Sequence, residues 1–387
     1  MRIIYFTTAL AKDDYVAFCD NWNGSLNTTI QHLHNRLIRA LALTHEVDVI
    51  SVRPFSRKYC KLKKLPAFTT QEGKITWHYL EVKKKRFFKV DFIKNQAKKI
   101  LLKINLNDAI ILTDTLNPYL LKSSTSLAEL FKLPIIGVCN NTPSSIHDTG
   151  KSYTTYLHSL ADNLSGYITQ TPNLNELFNK HNRANITIEG VLEEKYKEQD
   201  VSQFGKYIFY YGNLEQRYGV YDLIQAFIEL NNPQVNLVVA GYHAKEELME
   251  KVYKYRSNIK FLGMISSDLA LSLENGSLFN INSRPYTEDF DRYVIPYNTL
   301  DYLNSKSLTV SVRNNILQRI FKDDALWLEL GEKEELIEVM NKALKMNEIE
   351  KNEMIKKANS DANKLYSMSV VNHKLILFLK QFLKQRE

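Results

Sequence analysis

Short apolar runs and amphipathic stretches alternate along the chain. Over residues 210–227 an apolar run ends at Gly212 and is followed by a turn and an amphipathic stretch, which predicts a buried strand, a turn and a helix. Further apolar runs at 236–241, 259–263, 277–282 and 308–312 predict strands, separated by helical segments around 246–256 and 267–274. Such repeated strand and helix units predict a parallel sheet that is covered on both faces.

The first half of the chain shows the same pattern. Strands are predicted at 2–7, 47–50, 109–114, 133–141 and 167–172, with a polar loop at 20–26 and a helix from about 28 to 43. At 387 residues, the chain is longer than one hydrophobic core usually supports. We therefore predict an N-terminal domain at 1–188, a charged link at 189–205, a C-terminal domain at 206–365 and a final amphipathic helix at 366–387.

The turn that follows the strand at 210–213 is a candidate ligand site. In open α/β sheets, ligands bind beyond the carboxyl ends of the strands, where a glycine lets backbone N–H groups and a helix N-terminus approach a diphosphate. A glycine turn that only connects a strand to a helix explains the same residues.

Composition indicates a globular protein in a reducing compartment. The hydrophobic fraction is 44%, and the three cysteines, Cys19, Cys60 and Cys139, are widely spaced without a metal-ligand pattern. Residues 1–11 resemble a short signal peptide, but a first buried strand is the preferred interpretation. No segment approaches the roughly 18 apolar residues that span a bilayer. We expect a cytoplasmic protein.

The formal net charge of +8 is concentrated in residues 83–104, which carry nine cations and one anion among aromatic and aliphatic side chains. This composition suits an anionic membrane surface on the inner face of the plasma membrane. It equally suits a solvated helix whose apolar stripe packs into the core. Nucleic acid is not an expected partner, because no recognised binding motif accompanies the patch.

Two segments carry a resemblance to a known family. Residues 278–285 (LFNINSRP) and 290–305 (FDRYVIPYNTLDYLNS) resemble the "N-x-R-P" and "F-P-S-K-x-x-E-Y-L-A-S-G-x-P-V" segments of retaining GT-B glycosyltransferases of family 4, particularly bacterial members that build extracellular polysaccharides. The resemblance spans nearly the whole chain. It implies an α/β fold of two Rossmann-like doubly wound domains facing a cleft, with the last helix packed back on the N-terminal domain.

The resemblance also implies a donor site, although several family residues are replaced. The family's diphosphate-binding cations fall on Asn213 and Tyr218, its helix-start lysine on Asn298 and the glycine before its last strand on Lys306. The expected donor-binding residues are Gly212, Asn213, Thr299, Asp301 for the ribose, and Gly24 and Ser25 in the first loop. The expected catalytic residues are Arg217, Arg284 and Arg292, whose guanidinium groups can grip phosphate in bidentate fashion, together with Glu288.

On the acceptor side, the resemblance points to Asn140, Asn141 and His147. An amide can bind sugar hydroxyls but cannot act as a general base. The implied function is a retaining transfer of a hexose from a nucleotide diphosphate sugar to a lipid-linked cell-surface glycan, without a metal cofactor. The alternative is a catalytically degenerate relative that serves as a non-catalytic subunit or glycan-binding partner of an active transferase.

Overall fold

The computed structural model describes residues 1–19, 28–55, 60–83, 89–143, 151–193, 196–242, 248, 250, 254 and 258–383. The chain divides into two compact units. Unit 1 comprises Met1–Val191 and Met368–Glu387, and unit 2 comprises Leu192–Ser367.

Unit 1 is built on an eight-stranded sheet in the order β10-β9-β8-β7-β1-β2-β5-β4. Every neighbouring pair is parallel except β4 and β5. The strands are β1 (Arg2–Thr7), β2 (Val47–Ser51), β4 (Phe68–Glu72), β5 (Ile75–Tyr79), β7 (Ala109–Asp114), β8 (Ile135–Cys139), β9 (Gly166–Thr169) and β10 (Ala184–Thr187). Because β2, β7, β8 and β9 are buried along their whole length, these strands appear in the sequence as continuous apolar runs.

A small antiparallel ribbon accompanies this sheet. It pairs β3 (Lys64–Leu65) with β6 (Val82–Lys83). The helices of unit 1 are α1 (Lys12–Cys19), α2 (Thr28–Ala42), α3 (Lys89–Leu101), α4 (Pro118–Phe131), α5 (Lys151–Ala161), α6 (Pro172–Phe178) and, from the end of the chain, α14 (Met368–Lys380).

Local sequence sets the ends of these helices. The side chain of Asn117 accepts hydrogen bonds from the backbone N–H groups of Tyr119 and Leu120, and Pro118 occupies the first helical position of α4. The helix ends at Lys132, which adopts a left-handed conformation with φ 53°. α14 packs on α2, and the side-chain amide of Asn372 donates to the carbonyl of Ala40 at 2.8 Å.

Unit 2 contains a six-stranded sheet in the order β13-β12-β11-β14-β15-β16, and all of its strand pairs are parallel. The strands are β11 (Tyr207–Asn213), β12 (Asn236–Tyr242), β13 (Ile259–Gly263), β14 (Phe279–Asn282), β15 (Leu308–Val312) and β16 (Leu326–Leu328). The described helices are α7 (Val220–Leu230), α8 (Ser267–Gly276), α9 (Glu288–Tyr293), α10 (Tyr297–Leu303), α11 (Asn315–Phe321), α12 (Lys333–Lys345) and α13 (Glu348–Tyr366).

Apolar side chains fill both faces of the unit 2 sheet. Alternate residues of the central strands pack against α7 and α12 on one face, and against α8 on the other. The segment that precedes β11 also belongs to this unit, since the backbone N–H of Gln199 donates to Ser272 on α8 at 2.9 Å and Phe204 is buried. The two sheets, which are parallel except at the β4–β5 pair, confirm the predicted α/β class with two Rossmann-like units.

None of the helices in the described part of the chain combines the length and apolar character that crossing a bilayer requires.

Candidate functional site

The strand order of unit 2 reverses between β11 and β14. From β11 the sheet continues to β12 and β13, whereas from β14 it continues to β15 and β16. In doubly wound sheets, ligands bind beyond the carboxyl ends of the strands at such a reversal. The strands end here at Asn213 and Asn282, so the residues that follow them form the candidate site.

Two glycines allow close backbone approaches at this edge. Gly241 has φ +150°, and a Cβ atom there would lie 1.8 Å from the carbonyl oxygen of Gly212. Gly219 has φ +75°, and a Cβ atom there would lie 1.9 Å from the carbonyl oxygen of Ser283. The 3-10 turn Gln216–Tyr218, which lies between β11 and α7, therefore packs directly on the end of β14.

The predicted residue Asn213 shapes this turn. Its side-chain oxygen accepts a hydrogen bond from the backbone N–H of Glu215 at 2.9 Å, and its carbonyl accepts one from the hydroxyl of Tyr210 at 2.8 Å. Gly212 lies beside Tyr210 and Asn298, which an added Cβ would approach to 3.3 and 3.6 Å. Both residues therefore lie at the carboxyl edge of the sheet.

Arg284 is a nearly buried cation just beyond β14, with only 12% of its side chain exposed. One of its guanidinium nitrogens lies 3.7 Å from a carboxylate oxygen of Asp291, and the guanidinium carbon lies 3.0 Å from the centroid of the Phe290 ring. Burial lowers the pKa of Arg284 to about 10, and Asp291, Tyr218 and Tyr210 act in the opposite direction. At neutral pH the group therefore remains charged.

The counter-ion Asp291 is also buried. Burial raises the pKa of Asp291, whereas Arg284 and the hydrogen bonds from the Thr287 backbone and the Asn314 side chain lower it. Because the ion pair is long and both partners are desolvated, the guanidinium keeps capacity for a second anion.

The first turn of α10 is fastened to the end of β11. Asn298 donates to the carbonyl of Tyr211 at 3.2 Å, and the hydroxyl of Tyr302 bonds the backbone of Tyr211 at 3.0 and 3.3 Å. Thr299 is buried, and its hydroxyl bonds Asn282 at 2.7 Å and Ser311 at 3.0 Å. Thr299 thus holds α10 against β14 and β15, and it does not present its hydroxyl to solvent.

Asp301 lies one turn further along α10, in a recess of about 270 Å³ at the amino-terminal edge of the sheet. The recess is walled by the end of α8, the loop that precedes β15 and the side chains of α13, and no residue of the carboxyl edge lines it. The resemblance groups Asp301 with Gly212, and the structure places Asp301 in this recess. A contact between Asp301 and the ribose stays a prediction.

The remaining charged candidates of unit 2 are exposed. Arg217 bonds Glu215 at 2.8 Å and lies over the ring of Tyr218 at 5.2 Å. Arg292 lies over its neighbour Tyr293 at 5.6 Å. Glu288 is exposed at the start of α9. Arg284 is therefore the only one of the four predicted catalytic residues, all of which are described, that is largely withdrawn from solvent.

In unit 1, the predicted acceptor-side residue Asn140 follows the carboxyl end of β8. It is fully buried, and neither its side-chain oxygen nor its nitrogen has a hydrogen-bond partner in the structure as described. A buried amide without partners is costly, and it usually marks a place for a ligand or an ordered water. Asn141 is half-buried and accepts from the backbone of Thr142 at 2.8 Å. Gly24, Ser25 and His147 lie outside the described residues.

A second polar group at this edge was not predicted. His34 on α2 is fully buried and shares a hydrogen bond of 2.7 Å with the hydroxyl of Tyr5 on β1. Burial lowers the pKa of His34 and raises that of Asp114 at the end of β7. Their mutual attraction acts in the opposite direction on both, since Asp114 raises the pKa of His34 and His34 lowers that of Asp114. Asp114 could have been found from the same signal as Asn140, a polar residue that ends an apolar strand.

Metal-ligating residues do not cluster in the part of the chain that the structure describes, where no group of three His, Cys, Asp or Glu side chains could hold an ion.

One family model matches the second half of the chain. Residues 192–361 match the family model described as glycosyl transferases group 1. Curated protein sequences give no match.

Solved structures share the fold over nearly the whole chain. The sucrose-phosphate synthase of Thermosynechococcus elongatus is 12% identical, with a TM-score of 0.70 and coverage of 100% of both chains. The trehalose 6-phosphate synthase of Burkholderia multivorans is 13% identical, with a TM-score of 0.67 and coverage of 100% of this chain and 99% of the other.

A third similar structure carries a ligand. It is described as trehalose-6-phosphate from E. coli bound with UDP-2-fluoro glucose, and it is 12% identical with a TM-score of 0.69, covering 98% of this chain and 99% of that chain. These likenesses show that the chain has the fold of these synthases, and its residues 192–361 match the glycosyl transferases group 1 model.

Proposed function

We propose that the protein is a retaining glycosyltransferase that moves a hexose from a nucleotide diphosphate sugar to a lipid-linked glycan of a bacterial cell surface. The group 1 domain and the similar structure with bound UDP-2-fluoro glucose support a nucleotide sugar as donor. The acceptor and the stereochemistry follow from the resemblance of residues 278–305 to polysaccharide-building enzymes.

The observation that carries the proposal is the position of Arg284. The family's diphosphate cations are replaced by Asn213 and Tyr218, which leaves the donor phosphates in need of another positive charge. Arg284 supplies one beside the point where the strand order reverses. The close approach of Gly219 to Ser283 places the 3-10 turn Gln216–Tyr218 at the same end of β14. A desolvated guanidinium interacts with an anion more strongly than an exposed one does.

In the proposed reaction, the bond between the anomeric carbon and the phosphate oxygen breaks, and a bond from the acceptor oxygen forms on the same face of the sugar. The nucleoside diphosphate leaves with the bonding electrons. Arg284 and the N-terminus of α7, which begins directly after Gly219, stabilise its growing negative charge. With these groups in place, the proposal requires no metal ion.

The proton of the acceptor hydroxyl passes to the departing phosphate oxygen, which needs no protein base on that face. The acceptor-side amide Asn140 suits this arrangement, because it can bind a sugar hydroxyl but cannot remove its proton. Its unpartnered oxygen and nitrogen provide one acceptor and two donors for that purpose.

A lipid-linked acceptor requires access to a membrane. We therefore also propose that the cytoplasmic protein binds peripherally to the inner face of the plasma membrane, using cations of the basic segment 83–104.

Calorimetric titration with UDP, dTDP and GDP sugars tests the donor proposal. We expect one nucleotide series to bind, and Arg284→Met to weaken it by about 10- to 100-fold, because charged hydrogen bonds contribute about 1.5–3 kcal/mol. Arg284→Lys should retain part of the affinity, since it keeps the charge but loses the bidentate geometry. Arg319→Met, which removes an exposed cation of α11, is the matched control and should bind as the parent does.

Transfer of labelled sugar to membrane extracts then tests catalysis. Binding and transfer that both fall with Arg284→Met support the proposal, provided that thermal unfolding shows the variant to be folded. If the parent binds none of these nucleotide sugars at high micromolar concentration, the alternative of a non-catalytic subunit is favoured.

A further inference from the structure

We propose that unit 1 docks on an anionic lipid surface through one face of its small ribbon and the start of α3. This ribbon face consists of Lys61, Leu62, Lys63, Lys64, Lys83 and Phe92. The inference specifies the surface that would serve the peripheral membrane location proposed above, and it rests on that part of the proposed function.

The apolar stripe of α3 itself cannot enter a membrane. Ile93, Ala97 and Leu101 recur at helical spacing and are buried, and α3 packs on α4. For these residues, the interpretation as a solvated helix with a core stripe is the one that the structure supports. A membrane contact near α3 must therefore use other apolar side chains.

The ribbon offers such side chains among exposed lysines. Lys61, Lys63 and Lys64 are exposed, and Leu62 between them is 40% exposed. Lys64 stands directly opposite Lys83 in the antiparallel register. The Lys83 ammonium also pairs with Glu81 at 3.0 Å, so we assign the charge that would attract an anionic surface mainly to the lysines of residues 61–64.

The surface continues without a break onto α3. Gln96 of α3 accepts a hydrogen bond from the backbone N–H of Glu81 at 2.8 Å and donates to its carbonyl at 3.2 Å. The ammonium of Lys83 lies 5.7 Å from the ring centroid of Phe92, which is 37% exposed. The exposed ring therefore adjoins Lys83, which pairs in register with Lys64 of the ribbon.

A buried arginine ties the ribbon side of this patch to the main sheet. Arg53 follows β2 and donates to the carbonyls of Pro66 and Leu80, the latter at 3.2 Å. Its guanidinium also lies over the rings of Phe68 and Tyr79, at 4.9 and 5.5 Å. Arg53 therefore anchors the segment that follows β3 and the segment that precedes β6, which fixes the position of the ribbon on the sheet.

The mixture of side chains favours lipid over nucleic acid. Leu62 has no ring to stack on a base, whereas an aliphatic and an aromatic side chain flanked by lysines suit the boundary between headgroups and acyl chains. Each lysine near an anionic leaflet raises partitioning about fivefold, which corresponds to about 1 kcal/mol.

The test is sedimentation of the full chain with phosphatidylglycerol–phosphatidylcholine vesicles. We expect Lys61→Glu/Lys63→Glu/Lys64→Glu to lower the partition coefficient by about 100-fold or more, as three lysines at about fivefold each require. Leu62→Asn/Phe92→Asn should weaken binding by about tenfold and leave its dependence on salt unchanged. Vesicles of phosphatidylcholine alone should bind weakly.

A matched control is Lys342→Glu/Lys345→Glu/Lys356→Glu, which changes three exposed lysines of unit 2 and lowers the net charge from +8 by the same six units. Equal losses in the two triple variants, or no loss in the ribbon variant, would overturn the proposal. Tighter binding to single-stranded RNA than to anionic vesicles at the same salt concentration would also overturn it.

The outcome is separable from the donor proposal. The vesicle assay contains no nucleotide, and the ribbon variant should bind nucleotide sugar as the parent does. A parent that sediments with vesicles but binds no nucleotide sugar would refute the proposed reaction and leave the docking surface standing.

Discussion

Gly219 and Gly73 both have a positive φ, yet only one of them is enclosed. A Cβ atom at Gly219 would lie 1.9 Å from the Ser283 carbonyl oxygen, whereas nothing lies within 4 Å of one at Gly73, in the turn between β4 and β5. Substitutions at Gly73 therefore measure the cost of a positive φ alone, whereas those at Gly219 add the cost of a steric collision at the candidate site.

We predict that Gly219→Ala lowers the free energy of unfolding by about 3 kcal/mol or more, because it adds a steric collision to a strained left-handed residue. Gly73→Ala should cost about 1 kcal/mol, which is the strain alone. Urea unfolding measures both values. Gly219→Ala should also weaken nucleotide-sugar binding, because it pushes the turn Gln216–Tyr218 away from β14. Similar stability losses in the Gly219 and Gly73 variants would contradict the close packing of Gly219 on Ser283.

A second residue-scale property is the response of unit 1 to acid. Asp48 on β2 is buried and bonded to Arg2 at 2.5 Å and to His78 at 2.9 Å. Burial raises the pKa of Asp48, but the hydrogen bonds from His78 and Arg2 together outweigh it, so the pKa of this carboxyl is lowered on folding.

A carboxyl group whose pKa is lower in the folded state stabilises the protein above its unfolded pKa of about 3.9, and this stability is lost as the pH falls through the folded pKa. We therefore predict that stability declines below about pH 4 more steeply in the parent than in Asp48→Asn. At pH 7 the variant should be less stable by about 2 kcal/mol, because charged hydrogen bonds are lost. Denaturant unfolding between pH 3 and pH 7 measures both effects, and parallel pH profiles would exclude this role.

Among the elements, α14 shows how a distant segment completes a core. Leu375 and Leu379 are fully buried where α14 joins unit 1, whereas Leu377 on the opposite side of the helix is 55% exposed. The helix therefore contributes to unit 1 through one face only.

We predict that Leu375→Ala and Leu379→Ala each lower the free energy of unfolding of unit 1 by about 2–5 kcal/mol, the usual cost of a large-to-small change in a core. Leu377→Ala should change it by less than about 0.5 kcal/mol. The fluorescence of buried Trp77 on β5 can follow the transition. A comparable loss for Leu377→Ala would mean that α14 is packed differently.

The elements also show what the sequence could predict. Fully buried parallel strands such as β7 and β15 were predicted because they appear as continuous apolar runs. The strand β4 was missed because it is mostly exposed and has no apolar alternation. The strand β5 was overlooked, although Ile75, Trp77 and Tyr79 alternate along it. The ribbon strands, with two residues each, are too short to leave a periodic signal.

The candidate site divides in the same way. Gly212 and Asn213 were predicted from the glycine between a strand and a helix, which is a local signal. The burial of Arg284 depends on Phe290 and Asp291 from the following helix, so it requires a tertiary contact that no local pattern contains. The recess that contains Asp301 is likewise formed in part by α8 and α13, which are distant in sequence.

On the scale of the whole molecule, each unit has its own sheet and its own buried residues. The unit 2 core joins β11, β12, β14 and β15 to α7 and α12, and the unit 1 core surrounds β1, β2, β7 and β8. Domains with separate cores can unfold as separate cooperative units. Arg284 and the N-terminus of α7, which we propose to bind the donor diphosphate, both lie in unit 2.

Calorimetric unfolding should therefore show two transitions with different responses. A nucleotide sugar at 100 times its dissociation constant should stabilise the unit 2 transition by about 2.7 kcal/mol and leave the unit 1 transition in place, because a ligand stabilises only the unit whose folded state it binds. Leu375→Ala should lower the unit 1 transition alone, which assigns the two peaks independently of the ligand. If a nucleotide sugar instead shifted the unit 1 transition and left the unit 2 transition unchanged, the donor would bind unit 1. Arg284 would then take no part in the reaction.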